Sequence, residues 1–284
     1  MARFTDWIAT EKVVPINSNN FQVSWAASEL DSAGLIALHF VLQQQGAGTF
    51  DNSAVQLVRI KANSKTVVEL SMSELIAYQE KMSPRGSTDL LTDREFTVPL
   101  NMLGAENQDL ADTVQFMQGA TITVELLFTT GATVNGTVKL GWTRTNVQGL
   151  QYITLVRAPF GITGQVNRQR VQFSSAGEIF TIGVVSDTKV REIGITLQSQ
   201  DIFQVAGAAY NGLANQGNML VASQKLEDGP DAATRSAAFT FLRFTHGLPA
   251  VLTNSYFEVT SNGSMTANDG YVLGSLVPMP QLAA

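Results

Sequence analysis

The sequence predicts an all-β protein built from two tandem β-sandwich domains of similar plan. Three observations carry this. The stretch "ATITVELLF" (120–128) alternates almost without error, with Ala120, Ile122, Val124, Leu126 and Phe128 on one side and Thr121, Thr123 and Glu125 on the other. Short segments of this kind recur along the chain, separated by turn residues at the close spacing of a sandwich or barrel. A set of features also repeats at one offset. Glu125 and Glu258 stand 133 residues apart, as do Gly141 and Gly274; the Asn135-Gly136 and Asp269-Gly270 turns differ by 134, Ile60 and Ile195 by 135, and Tyr78 and Tyr210 by 132. One such match means nothing in a β-rich chain. Several in the same order, near half the length, indicate duplication.

The elements follow in order. "FQVSW" (21–25) sets Phe21, Val23 and Trp25 on one face, and "LIALHFVLQ" (35–43) is a longer, mostly apolar strand. "VQLVRIKA" (55–62) and "TVVELS" (66–71) flank the tight turn "NSK". Two places break the pattern. "SMSELIAYQEKM" (71–82) carries Met72, Leu75, Ile76 and Met82 at helical spacing, with Ser71 or Ser73 as cap and Glu74 in the first turn, and Pro84-Arg85-Gly86 ends it. "ENQDLADTVQFM" (106–117) is a second short helix. No regular strand–helix alternation appears, so these are helices inserted between strands. The expected boundaries are an N-terminal arm over 1–20, a first sandwich over 21–145, and a connector with the second sandwich over 146–284. The connecting stretch holds Gly149, Pro159, Gly161 and Gly164, yet "QYITLV" within it alternates like a strand, so the domains are not flexibly tethered. In the arm, Phe4, Trp7 and Ile8 fall at i, i+3 and i+4, which a short helix would align as one stripe for a neighbouring subunit, a membrane or its own domain.

Composition narrows the chemistry. The 284 residues are 44% hydrophobic and suffice for a large core, and only 15% are charged, with a net charge of −6. That is well below the usual quarter or so, and it suits neutral exposed faces with much surface against neighbours. The acidic balance argues against direct nucleic-acid binding. No cysteine is present, which excludes disulfides and thiolate metal sites. No apolar run reaches the roughly 18–20 residues of a transmembrane helix, and the start lacks a signal-peptide core.

No enzymatic constellation emerges. The chain has no nucleophile elbow, phosphate-binding Walker loop or dinucleotide fingerprint. His39 and His246 share no ligand spacing, so each reads as a strand or turn residue. "QGAGTFD" (45–51) reads as a surface loop. "LEDGPDAATR" (226–235) gathers Glu227, Asp228 and Asp231; weak calcium binding is one reading and an exposed acidic turn the simpler one. Glu125 and Glu258 could be imagined as glycosidase carboxylates, but they hold equivalent places in different domains and fit a solvent or interface face better. No catalytic residue, cofactor or metal is therefore expected. A lectin-like two-domain carbohydrate-binding protein is the alternative, but Trp7, Trp25 and Trp142 are dispersed. The glycosylation-type triplets Asn135-Gly136-Thr137 and Asn262-Gly263-Ser264 coincide with turns.

The segments "VQLVRIKANSKTVVELSMSELIAYQ" and "VREIGITLQSQDIFQVAGAAYNGL", with the closing pairs "ATITVELLF…TVKLGW" and "SYFEVTS…GYVLGS", resemble the double jelly-roll major capsid proteins. The likeness is to those of membrane-containing icosahedral bacteriophages, the corticovirus-like and related groups. It covers nearly the whole chain as a pattern, and its motifs are loose. It implies two tandem jelly rolls with short inserted helices, and a structural role in the virion. It further implies a homotrimer forming a pseudo-hexagonal capsomer, contacts with neighbouring capsomers, minor capsid proteins and the internal viral membrane, and assembly in the host cytoplasm. Under this resemblance Phe4, Trp7 and Ile8 belong to an inter-subunit or membrane-facing arm whose removal leaves a folded trimer.

Overall fold

The structure, a computed structural model, describes residues 3–16, 18–26, 34–82, 93–100, 121–131, 133–145, 151–162, 164–173, 177–186, 190–197, 200–206, 219–220, 238–249 and 255–278. The chain divides into two compact units, Met1–Val156 with Pro278–Ala284, and Arg157–Val277.

Unit 1 holds β1 (Arg3–Val14), β2 (Asn20–Ala26), β3 (Gly34–Gln44), β4 (Val55–Ala62), β5 (Lys65–Ser71), α1 (Met72–Met82), β6 (Glu95–Pro99), β7 (Thr121–Phe128) and β8 (Gly136–Thr145). One sheet runs β1-β8-β3-β6, and the other contains β5-β4-β7-β2. With strands numbered by chain order, 1-8-3-6 facing 2-7-4-5 is the double Greek-key order of a jelly roll. β9 (Gln151–Pro159) adds a parallel strand to β5 within unit 1, pairing Val68 with Leu155 and Glu69 with Val156.

Unit 2 repeats the plan. After β9 come β10 (Val166–Gln172), β11 (Glu178–Ser186), β12 (Val190–Leu197), β13 (Gln200–Ala206), the two-residue β14 (Met219–Leu220), β15 (Ala238–Pro249), β16 (Tyr256–Met265) and β17 (Gly270–Pro278). One sheet is β10-β16-β12-β13; in the other, β14-β15-β11-β17 is followed by β9. The last residues of β9 lie in unit 2, where Phe160 N donates to Asp269 O at 3.3 Å and Arg157 Nη2 to Asn268 O at 2.8 Å. Setting β14 aside, the order is again that of a jelly roll.

Alternation builds both cores. In β7 the residues Ile122, Val124 and Leu126 are fully buried, while Thr121 is exposed and Thr123, Glu125 and Leu127 are half-buried. Phe21, Val58, Ile60 and Leu70 of the same sheet and Leu38, Phe40, Phe96 and Val98 of the other are buried as well. Phe40 and Phe96 stack at 4.6 Å between ring centroids. The second core gathers Ile179, Ile182, Val184, Ile193, Ile195, Val259 and Met265 around Phe257, whose ring meets Tyr271 edge-on at 5.4 Å. The β4–β5 hairpin turns at Asn63, whose φ of 54° is a left-handed conformation that asparagine tolerates. Its Oδ1 accepts from Thr121 N at 2.9 Å, which ties the turn to the start of β7.

α1 starts where the sequence places it. Ser71 Oγ accepts from Glu74 N at 3.2 Å, and Glu74 Oε2 accepts from Ser71 N at 2.8 Å, a reciprocal capping box. The N-terminal segment differs from expectation. Residues 3–14 form a strand paired with β8 and not a helix, so Phe4, Trp7 and Ile8 are strand residues. A two-residue period does not gather positions 4, 7 and 8 on one stripe. The second helix candidate, 106–117, and Tyr210 lie outside the described residues.

Gly274, one of the repeated glycines, sits opposite Thr181 in β11. A Cβ there would stand 2.8 Å from Phe180 Cζ and press on the Thr181 methyl. Gly274→Ala is expected to destabilise unit 2 by about 1–3 kcal/mol through overpacking, read as a lowered thermal midpoint. An unchanged midpoint would show that Phe180 yields freely.

Candidate functional site

The sheet face turned away from each core carries a charged cluster centred on one repeated glutamate. In unit 1, alternation along β4 buries Val58, Ile60 and Ala62 and turns Arg59 and Lys61 outward beside Glu69 of β5 and Glu125 of β7. Arg59 Nε donates to Glu69 Oε2 at 2.5 Å and Arg59 Nη1 to Glu125 Oε2 at 3.1 Å. Lys61 Nζ donates to the other Glu125 oxygen at 2.7 Å. Burial alone would raise the Glu125 pKa, but the hydrogen bonds and charges of Lys61 and Arg59 outweigh it, and the carboxyl is held below its ordinary 4.5. The Arg59 guanidinium is in turn held more firmly protonated, chiefly by its bond to Glu69.

In unit 2, Glu258 of β16 takes the equivalent place, but its partners come from the opposite neighbour. Arg168 Nη2 of β10 donates to Oε1, and Arg170 donates to Oε2 through Nε at 3.3 Å and Nη2 at 3.2 Å. The Arg170 guanidinium also lies 4.0 Å from the Tyr256 ring centroid. Glu258 is mostly covered, with 16% of its side chain exposed, whereas Arg168 and Arg170 are 65% and 51% exposed. The arginines form the outer rim of the cluster, on an edge strand.

Chemically, these clusters hold a surface together. Each carboxylate is saturated by two cations, and Glu125 stays ionised, the opposite of what a general acid requires. Glu125 and Glu258 belong to different units and form no shared centre within either one. The sequence singled out both glutamates but missed Arg59, Lys61, Arg168 and Arg170. The alternation of "VRIKA" and "VNRQR" was the available signal, but the strand order that brings them to the glutamates was not.

The other candidates resolve individually. His39 lies on β3 between two threonines, Nδ1 2.9 Å from Thr97 Oγ1 and Nε2 2.5 Å from Thr143 Oγ1, and burial lowers its pKa. That is a strand histidine held by hydroxyls, as the sequence suggests. His246 lies on β15. Residues 45–49 form a loop, with Gly46 and Gly48 at positive φ and Phe50 fully buried behind it. Trp25 is buried and Trp142 half-buried, so neither offers an open sugar-stacking platform. The acidic stretch 226–235 lies outside the described residues, and among those described no group of acidic or histidine side chains could hold a metal. No described helix is long and apolar enough to cross a membrane.

No family model and no curated protein matches the sequence. Among solved structures, the chain superposes end to end on the major capsid protein P2 of bacteriophage PM2. The TM-score is 0.66 at 8% identity, and 98% of each chain is covered. The fold is that of a double jelly-roll major capsid protein. The strand order on its own says jelly roll twice over, and this likeness spans both rolls of the double jelly roll in one chain. Weaker likenesses are to VP54 of PBCV-1, fitted into a reconstruction of the virophage Sputnik (TM-score 0.47, 11% identity, 98% and 94% of the two chains), and to the glycosylasparaginase PNGase F of Flavobacterium meningosepticum (TM-score 0.39, 11% identity, 97% and 96%). At those scores neither bears on what the double jelly roll does.

Removing the central charge of the first cluster tests its structural role. Glu125→Gln is expected to cost about 1–2 kcal/mol, since both cations are part-exposed and Arg59 keeps Glu69. The sign in pH follows from the lowered pKa. The stabilisation is complete above the ordinary carboxyl value and is lost as pH falls through the lower folded one. Urea midpoints of wild type and Glu125→Gln should therefore differ at neutral pH and converge in acid. A difference that persisted unchanged into acid would mean the charge is not what matters.

Proposed function

We propose that this chain is the major capsid protein of an icosahedral virus, three copies of which associate into a pseudo-hexagonal capsomer. The observation that carries the reading is the likeness over 98% of both chains to a major capsid protein, which spans both jelly rolls. Three chains of two similar rolls give six similar wedges, a shape that tiles a facet, and closed symmetric association is the ordinary route to it. The low charge and the carboxylates saturated within their own sheet faces support a subunit that meets neighbours over much of its surface. On this reading the protein resides in the virion after assembly in the host cytoplasm. Its partners are neighbouring capsomers, minor capsid proteins and the internal membrane, and it acts as no enzyme and needs no cofactor. β1, with Phe4, Trp7 and Ile8, faces a neighbouring subunit in preference to lipid, because Arg3 and Lys12 are balanced by Asp6 and Glu11 and anionic headgroups would gain little. Electron microscopy of the purified chain tests the reading. Particles of hexagonal outline, two rolls per chain, are expected; isolated two-lobed particles at every concentration would contradict it.

A further inference from the structure

Register makes the two glutamates comparable position by position. Arg59, Ile60 and Lys61 of β4 pair with Glu125, Val124 and Thr123, and Gly194, Ile195 and Thr196 of β12 pair in the same order with Glu258, Phe257 and Tyr256. On the other flank, β2 sets Gln22 beside Glu125 and Asn20 beside Leu127, whereas β10 sets Arg170 beside Glu258 and Arg168 beside Thr260. The cations have therefore changed flank between the rolls. In the first they stand on β4, with neutral residues on β2. In the second they stand on β10, with Gly194 and Thr196 in the places of Arg59 and Lys61.

The carboxylate itself has not changed its demand. Glu125 and Glu258 are covered alike, with 14% and 16% of the side chain exposed, so each needs its counter-charge equally. What the exchange alters is the exposure of the cations, 26% for Arg59 and 28% for Lys61 against 65% for Arg168 and 51% for Arg170. The second pair is also held in place before any partner arrives. Glu258 accepts from both, and the Tyr256 ring centroid lies 4.0 Å from the Arg170 guanidinium, so little freedom is lost on contact. One guanidinium can serve two acids, as Arg59 does with Glu69 and Glu125. Arg170 gives Nε and Nη2 to Glu258, and its Nη1 stands outside those bonds.

We propose that Arg168 and Arg170 form a docking site for carboxylates of a second copy of this chain. Asp and Glu outnumber Lys and Arg by 24 to 18, so a neighbouring copy offers acids in excess. A polyanion fits less well. β10 brings two cations, fewer than the clusters of about 4–8 that hold proteins to anionic membranes, and a chain of net charge −6 is repelled by nucleic acid. The inference rests on the capsid reading, which makes copies neighbours, and it adds the chemistry of one contact between them.

Self-association, followed by sedimentation and mass photometry at low and high salt, tests the contact. Arg168→Gln with Arg170→Gln would strand Glu258, so the variant also carries Gly194→Arg, which sets an arginine beside Glu258 as Arg59 stands beside Glu125. Measured against Gly194→Arg alone, this triple variant should associate at least about tenfold more weakly at low salt and lose most of the salt sensitivity. A triple variant that folds and associates like its reference, with the same salt dependence, overturns the arginine contact and leaves the capsid reading standing. A wild type that is monomeric at every concentration overturns both. Arginine-dependent binding to phosphatidylglycerol vesicles or duplex DNA, with self-association unaffected, overturns the choice of partner. If the triple variant does not fold, phenylglyoxal labelling of the unaltered chain decides. Arg168 and Arg170 should react more slowly in the associated protein than in the dissociated chain, and equal rates would overturn the proposal.

Discussion

Val124→Asp is expected to unfold the first jelly roll under conditions in which the wild type is fully folded. Val124 has no exposed surface, lies in the middle of β7, and pairs with Val23 on one side and Ile60 on the other. Arg59 and Lys61, the cations of this sheet that pair with Glu125, project from the other face. An unpaired carboxylate there costs about 3–5 kcal/mol, a large share of the roughly 5–15 kcal/mol that holds a domain folded. Thr123→Asp, one residue away, should stay within about 1 kcal/mol. Thr123 is half-buried on the outer face, and its Oγ1 shares a hydrogen bond of 2.8 Å with Ser24 Oγ. Thermal melts of the two variants side by side provide the test, and equal midpoints would mean that the alternation of β7 does not define the core.

Deleting residues 2–12 is expected to have an effect as large. On the sequence alone the segment reads as an arm whose loss leaves the fold intact. In the structure it is β1, a strand of the first roll, and the deletion removes seven of its nine registered pairs with β8. β8 would become an edge, and the apolar residues behind that sheet, Leu38, Phe40 and Leu140 among them, would lose part of their cover. Hydrogen exchange should then show lost protection across β3 and β8, with β12 and β16 of unit 2 retaining theirs. A truncated chain that melted with the wild type, its β8 amides still protected, would show that β1 contributes nothing to the roll.

How much of this could be read beforehand depended on whether the information was local. The alternation of 120–128 declared β7 and its buried face, because each inward residue meets the same kind of environment. Ser71 or Ser73 as cap and Glu74 in the first turn announced α1, because those signals lie within four residues; that Ser71 and Glu74 close a reciprocal box is visible only in the structure. The repeat of Glu125 and Glu258 was visible, and both fall on the same strand of their rolls, β7 and β16. Their cations were not visible. Arg59 and Lys61 reach Glu125 across 66 and 64 residues, and Arg168 and Arg170 reach Glu258 across 90 and 88. Such partners follow from strand order, which no local pattern states. The misreading of β1 also has a physical origin. The i, i+3, i+4 spacing of Phe4, Trp7 and Ile8 matches a helix, and only pairing with the distant β8, which no local pattern states, makes the segment a strand.

The central claim is that two jelly rolls in one chain make a third of a capsomer. The mass of the purified protein in solution, followed by mass photometry and sedimentation over a range of concentrations, tests this most directly. A species of three 30.6 kDa chains, stable to dilution, is the predicted result. A 30.6 kDa monomer that persists at the highest concentration reached would contradict it.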